Sequence, residues 1–278
     1  MSPPDRASPV ELQDWADRIE AGCRGTRFDP SLVRVLATCD STQDVARSTG
    51  PGAVVVAGRQ TRGRGRLGRR WIEDLGTGVA ISLATRAEAV DRLLLGSTVG
   101  VLDAIRAALP ASERGRVGIK FPNDLVERRH GAKVGGILVE VADDVAVIGI
   151  GVNVHRRTWP EGLSAIGLEE LGAARGYRRI DLIETLPGRI ANALGADRAT
   201  LVARFVAAHL PTGRRVEIEC GDRIHRGTLE SLDPTGSLRV RGDDGVVRAW
   251  PAGSTRILSW EPGGDDCARV DPPGGPMI

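Results

Sequence analysis

Apolar residues at Leu94, Val101, Ile105 and Leu109 keep helical spacing through the stretch from Glu88 to Leu109, and Pro110 closes that helix. Before it, residues 31–36 (SLVRVL) read as a short strand. Asp40-Ser41-Thr42 supplies capping residues for a helix through Arg47 that ends near Gly50-Pro51. Ala53 to Ala57 is a buried β-branched strand, and Val79 to Leu83 is another. Lys133 to Val141 and Val145 to Val152 form a hairpin around Ala142-Asp143-Asp144. Helices follow from Ile180 to Leu194, with a break at Pro187, and from Thr200 to Ala208.

The pattern changes after Pro211-Thr212-Gly213. Short alternating strands are predicted at Arg215–Glu219, Ile224–Leu232, Ser237–Arg241, Gly245–Trp250 and Thr255–Leu258, with turn residues between them. So many short strands in so little chain predict a small SH3-like barrel over 213–260, behind an α/β (α+β) domain over 31–212. Residues 1–30 are a polar extension, helical around Glu11 to Ala16 and too short for a helix-turn-helix with its own core. The tail over 261–278, rich in Pro, Gly and Asp, is expected to be disordered.

Composition narrows the class. With 278 residues, 41% hydrophobic and 27% charged, the chain has the make-up of an ordinary globular protein. Its apolar runs fall far short of the ~20 residues of a membrane span. The first residues carry Asp5, Glu11, Asp14 and Asp17 without an apolar block, so a cytoplasmic protein is expected. Cys23, Cys39, Cys220 and Cys267 have neither zinc nor disulfide-scaffold spacing. A net charge of +2 excludes a general polycation. Of the 38 basic residues, all are Arg except Lys120 and Lys133. Lysines that survive such a bias, close together, are candidates for work that a planar guanidinium does poorly.

The run from Gly58 to Trp71 holds six arginines and no acid. Glycines let backbone N–H groups converge on phosphate oxygens, and arginines add forked donors, so the run reads as an anion-binding loop that a polyphosphate would order. It is not a Walker loop, because no Lys-Ser or Lys-Thr pair occurs in the chain. Three further clusters follow: Lys120-Phe121-Pro122-Asn123-Asp124-Leu125, then Lys133-Val134-Gly135-Gly136-Ile137-Leu138-Val139-Glu140, then Gly149-Ile150-Gly151-Val152-Asn153-Val154. Pro122 drives Phe121 into an extended conformation before a turn. The Gly135-Gly136 pair would let a ligand lie on bare backbone.

Taken in this order, the clusters resemble biotin–protein ligases, in motif detail from Ser41 to Asn153 and in architecture to Ile257. The resemblance implies a catalytic domain related to class II aminoacyl-tRNA synthetases, followed by the SH3-like domain. It implies two steps: biotin and ATP form biotinyl-5′-adenylate and pyrophosphate, then a lysine of a biotin carboxyl carrier protein displaces AMP. Mg²⁺ would accompany ATP. No DNA or membrane partner is expected, and the chain would act as a monomer or weak homodimer.

The resemblance assigns residues as well. Ser41, Thr42 and Gln43 fall on a biotin-contacting Ser-Thr-Asn turn, with Gln43 in place of the usual Asn; helix capping is an equally open role for Ser41 and Thr42. Gln60 matches a biotin-pocket glutamine, and Arg64, Gly65 and Arg66 the segment that covers biotin and the adenylate. Lys133, with Gly135 and Gly136 beside it, matches the lysine next to the biotin carboxylate and α-phosphate, and Arg66 joins it as a catalytic candidate. Two anions must meet there, and a positive charge between them offsets their repulsion. Arg69, Lys120, Asn123 and Asn153 are candidates for ATP or adenylate, Trp71 for adenine stacking or core packing, and Asp124 for Mg²⁺ or loop structure. Phe121 stands where Trp is common. The alternatives are a lipoate or octanoate ligase or transferase of the same fold, whose motifs are absent here, and an Arg/Gly-loop RNA binder, which the scarcity of aromatics disfavours.

Overall fold

The computed structural model describes residues 9–68, 70–71 and 76–261. Helix α1 (Pro9–Cys23) leads into strand β1 (Val33–Leu36), α2 (Thr42–Thr49), β2 (Val54–Ala57), β3 (Gly78–Arg86) and the long α3 (Val90–Ala108). Strands β4 (Val117–Lys120), β5 (Asp124–Glu127), β6 (Lys133–Ala142) and β7 (Val145–Asn153) follow. Helices α4 (Arg179–Ile183), α5 (Leu186–Gly195) and α6 (Arg198–Ala207) complete this part.

The first seven strands make one sheet in the order β1-β2-β3-β7-β6-β5-β4. Only β1 and β2 run parallel; the other pairs are antiparallel. β2 and β3 are buried on both faces, which is why they read as continuous apolar runs rather than alternating ones. Val54, Val56, Ile81, Leu83 and Ile148 join the main core with α3. Ala53, Val55, Ala84 and Val147 form a smaller cluster with Ala46 of α2. Helices α3 and α5 approach closely because Gly100 leaves room: a Cβ there would lie 2.8 Å from the Ile190 Cα.

The predicted β6–β7 hairpin is present, with Asp143 at φ 51°, a left-handed turn conformation that aspartate tolerates. The predicted helical break near Pro187 falls just before it, between Ile183 and Leu186. That puts Pro187 in the first turn of α5, where its missing N–H has no partner to lose. Helix α1 is longer than the pattern around Glu11–Ala16 suggests, and buries Trp15, Ile19 and Cys23 in the main core. Arg18 ties it to Glu184 and Asp181 at 2.5 and 2.9 Å.

The pair β4–β5 was not legible in the sequence. Each strand has four residues, too few to show a period, and the turn between them holds the cis Phe121–Pro122 bond. β4 is the edge of the sheet, and the chain leaving α6 covers it: Ile119 N donates to Ala208 O at 2.8 Å, and Leu210 N to Ile119 O at 3.0 Å. Beyond this zip lie β8 (Arg215–Cys220), β9 (Arg223–Leu232), β10 (Ser237–Arg241), β11 (Val247–Pro251) and β12 (Thr255–Trp260). They form the expected small antiparallel sheet, in the order β11-β10-β9-β8-β12. The tail expected to be disordered lies, from residue 262 on, outside the described residues.

Candidate active site

A cavity of about 420 Å³ opens over the middle of the large sheet. Its floor is β3, β6 and β7, and register sets its polarity. Ser82 pairs with Gly149, which pairs with Leu138. Two residues along, about 7 Å in an extended strand, Ala80 pairs with Gly151, which pairs with Gly136. Asn153 and Lys133 lie beyond. The glycines of Gly149-Ile150-Gly151 carry other side chains on their bare backbone: a Cβ at Gly149 would sit 2.7 Å from the Gln43 amide carbon, and one at Gly151 would sit 2.4 Å from the Trp71 indole.

Uncharged donors and acceptors gather at the Ser82 end. Gln60 Oε1 accepts from the backbone N of Thr42 at 2.9 Å and from its hydroxyl at 3.1 Å. The Thr42 hydroxyl also meets the Ser82 hydroxyl at 2.8 Å. Gln60 is thereby fixed through its carbonyl oxygen, which leaves its NH₂ to donate. Ser41 stands at the N-cap of α2, yet its side chain makes no capping bond, and its buried Oγ has no partner among the described residues. It does not line the cavity.

Cations gather at the other end. Lys133 Nζ lies 2.6 Å from Asp124 Oδ1 and 5.9 Å from the centre of the Trp71 indole. Arg66 donates to Asn123 Oδ1 at 3.0 Å, and Asn123 Nδ2 donates to Ile137 O at 2.7 Å. Burial pulls the Arg66 pKa below its usual value; Asp124 opposes that, and the nearby charge of Arg256 adds to it. Arginine stays protonated regardless, so an anion entering here would relieve an incompletely compensated charge. Asn153 donates to Lys133 O at 2.9 Å, fixing the backbone that carries the lysine.

Thirteen predicted residues come together on the cavity wall: Thr42, Gln43, Gln60, Arg64, Gly65, Arg66, Trp71, Lys120, Asn123, Asp124, Lys133, Gly136 and Asn153. Gly135 does not join them. It faces away, where a Cβ would meet Gly151 O at 2.7 Å, so its role is close strand packing rather than ligand contact. Arg69 lies outside the described residues. The Arg64 guanidinium is engaged by Asp44 and Glu140, and Gln43 Nε2 donates to Glu140 Oε2 at 3.0 Å. Trp71 lies flat on Gly151 with its indole N–H buried and unpartnered among the described residues.

Sequence reasoning missed several wall residues. Ser82, a hydroxyl inside an otherwise apolar strand, is the one that left a signal. Trp159 and Leu163, on the segment after β7, and Arg256 and Leu258, on β12, gave none, since only the tertiary fold carries them to the cavity. Among the described residues no cluster of three or more His, Cys, Asp or Glu is arranged to hold a metal, and no helix is long and apolar enough to cross a membrane.

Residues 34–155 match the biotin/lipoate A/B protein ligase family, and residues 212–254 match the biotin protein ligase C-terminal domain. The chain is 35% identical to a biotin–[acetyl-CoA-carboxylase] ligase of Mycobacterium tuberculosis, over 67% of this chain and 72% of that one. A ligase of the same name from Paracoccus denitrificans is 35% identical over 76% and 95%. Among solved structures, the biotin protein ligase from Aquifex aeolicus in complex with biotin and ATP superposes with a TM-score of 0.69 at 26% identity, covering 81% of this chain and 97% of that one.

Proposed function

The chain belongs to the biotin protein ligase family, and from that premise we propose that it is an ATP-dependent ligase that activates biotin and transfers it to a carrier lysine. In the first step the biotin carboxylate oxygen attacks the α-phosphorus of ATP; the bond to the bridging oxygen breaks, and pyrophosphate leaves. In the second, the acceptor amine attacks the carbonyl of biotinyl-5′-adenylate, loses a proton, and AMP departs with the electron pair of the acyl–oxygen bond.

The observation that carries this reading is the polarity of the cavity. An uncharged hydrogen-bonding end at Thr42, Gln60 and Ser82 suits a ureido ring, whose N–H and C=O groups need partners once buried. A cationic end at Lys133 and Arg66 suits a carboxylate and a phosphate that must approach each other. Between them, the Trp71 indole, seated on the bare backbone of Gly151, offers an apolar face to an acyl chain. Lys133 neutralises the two anions as they meet, and Asp124 orients its ammonium. Arg66 stabilises charge developing on the phosphate. This is positioning and electrostatics, with no nucleophile supplied by the protein.

Magnesium would arrive with the triphosphate. Among the described residues Asp124 is the one carboxylate that lines the cavity, and it is spent on Lys133, so the described donors do not build a metal centre and no step is routed through one. The acceptor in this reading is a biotin carboxyl carrier domain, met in the cytoplasm. The test is biotin-dependent exchange of labelled pyrophosphate into ATP, with lipoate and octanoate in parallel. Exchange with biotin supports the proposal; exchange with only the other two acids, or with none, overturns it.

A further inference from the structure

The uncharged end of the cavity holds two side-chain amides, and their partners turn them opposite ways. Gln60 is held by its carbonyl oxygen, which accepts from the backbone N–H and the hydroxyl of Thr42, so its NH₂ is left to donate. Gln43 is held by its NH₂. Its Nε2 donates to Glu140 Oε2 at 3.0 Å, and a carboxylate only accepts, so a flipped amide would lose that bond. The Gln43 carbonyl oxygen is thereby turned onto the bare backbone of Gly149, where a Cβ would lie 2.8 Å from it. Gly149 lines the cavity and pairs with Ser82.

Register places the carboxylate. Gly136 and Leu138 line the cavity, and Glu140 comes next on that face of β6, because alternate residues of a strand share a side. Three donors converge on its Oε2: Gln43, Arg47 Nη2 at 3.2 Å and Arg64 Nη2 at 3.3 Å. Gln43 and Arg47 belong to α2, so helix and strand keep this junction wherever the arginine-rich run lies. Gln43 is only 4% exposed, and an amide so buried has no water to replace a lost partner.

We infer that Glu140 is a positioning residue: it fixes the Gln43 amide so that its carbonyl faces the cavity as an acceptor, alongside the donor that Gln60 presents. Within the biotin-ligase reading on which this rests, that opposed pair selects a cyclic urea, which carries N–H donors and a C=O acceptor, over dithiolane or alkyl acids whose tails carry neither. Glu140 acts through Gln43 and on binding, not on the chemical step.

Isothermal titration of the full chain with biotin alone reads this without catalysis. Glu140→Leu and Gln43→Leu should each weaken binding by about tenfold, the scale of one lost buried hydrogen bond. The double variant should fall no more than about twofold below either single one, because both remove the same contact. Exchanging the pair, Gln43→Glu with Glu140→Gln, keeps an N–H···O bond between the two positions and an acceptor oxygen over Gly149. It should bind within about threefold of wild type, whereas Gln43→Glu alone sets two carboxylates together and should bind weakly. Desthiobiotin, which keeps the cyclic urea and lacks the sulfur, should show the same losses. Additive losses in the double variant overturn the inference, because Glu140 would then act apart from Gln43. So does a loss confined to biotin, which would put Gln43 on the sulfur side of the ligand, or a swapped pair that binds weakly at an unchanged melting temperature. If the swapped pair melts early, the leucine cycle decides alone. A wild type that binds no biotin overturns the ligase reading itself, and the inference with it.

Discussion

Lys120 Nζ donates to the main-chain carbonyl of Leu258 at 3.1 Å, joining the β4–β5 hairpin to the last strand of the small domain across 138 residues of chain. The same ammonium stands 5.5 Å from the centre of the Trp260 indole, which packs on Gly131. One of the chain's two lysines therefore serves the junction between its two sheets while also lining the cavity. A compact ammonium reaches a carbonyl and a ring face together, whereas a guanidinium would need a wider site.

Lys120→Met is therefore expected to lower the stability of the folded chain by about 1–2 kcal/mol, the worth of a charge-assisted bond plus a cation–π contact. Urea unfolding of the variant against the wild type measures it. An unchanged midpoint would mean that the junction is held by apolar packing alone.

Lys133→Ala should leave the far-ultraviolet circular dichroism unchanged while cutting pyrophosphate exchange by ~10²–10³-fold, as for loss of one preorganised charge donor. Undiminished exchange would remove Lys133 from the mechanism. Asp124→Asn, which keeps the shape and removes the charge that orients the lysine, should give a smaller loss in the same direction.

Gly151→Ala places a methyl against the Trp71 indole, where the nearest ring atom is 2.4 Å from the added carbon. The ring must move, at a cost of about 1–3 kcal/mol for overpacking, and the affinity for biotin and ATP should fall with it. Isothermal titration reads the loss. Gly253→Ala, with nothing within 4 Å of the added carbon, is the neutral control.

His209 gives a pH prediction with a definite sign. It is buried beside the β4 edge; its Nδ1 meets the Thr212 hydroxyl at 2.8 Å, and burial pushes its pKa down to about 3. The unfolded chain takes up a proton near the ordinary value of about 6.5 while the folded one does not. Stability from this residue is thus full above that value and declines as the pH drops toward the folded one, by about 1.4 kcal/mol per unit. Between pH 6.5 and 5 the wild type should lose about 2 kcal/mol that His209→Leu does not. Matching slopes in urea titrations of the two proteins would refute it.

Much of this architecture can be read along the chain, for local reasons. Period and punctuation mark α3, the β6–β7 hairpin and the five strands of the small domain, because a long apolar face or a tight turn leaves its trace in neighbouring residues. The motif order from Ser41 to Asn153 named the family, and the fold brings thirteen of the predicted site residues into one cavity, since these motifs lie at or beside the ends of strands and of α2. β4 and β5 escaped because strands of four residues show no period.

What the sequence determined by itself was most of the elements, the family, and which chemical groups are present. The tertiary structure alone decided how those groups are spent. Gly135 packs strand on strand while its neighbour Gly136 faces the cavity, because adjacent residues in a strand point to opposite sides. Arg64 finds Asp44 and Glu140 on two other elements, and Lys120 finds a carbonyl in another sheet. Partners separated by 20 to 138 residues leave no local signal; only closure of the fold brings the charges within reach, and a charge is committed by what it meets there.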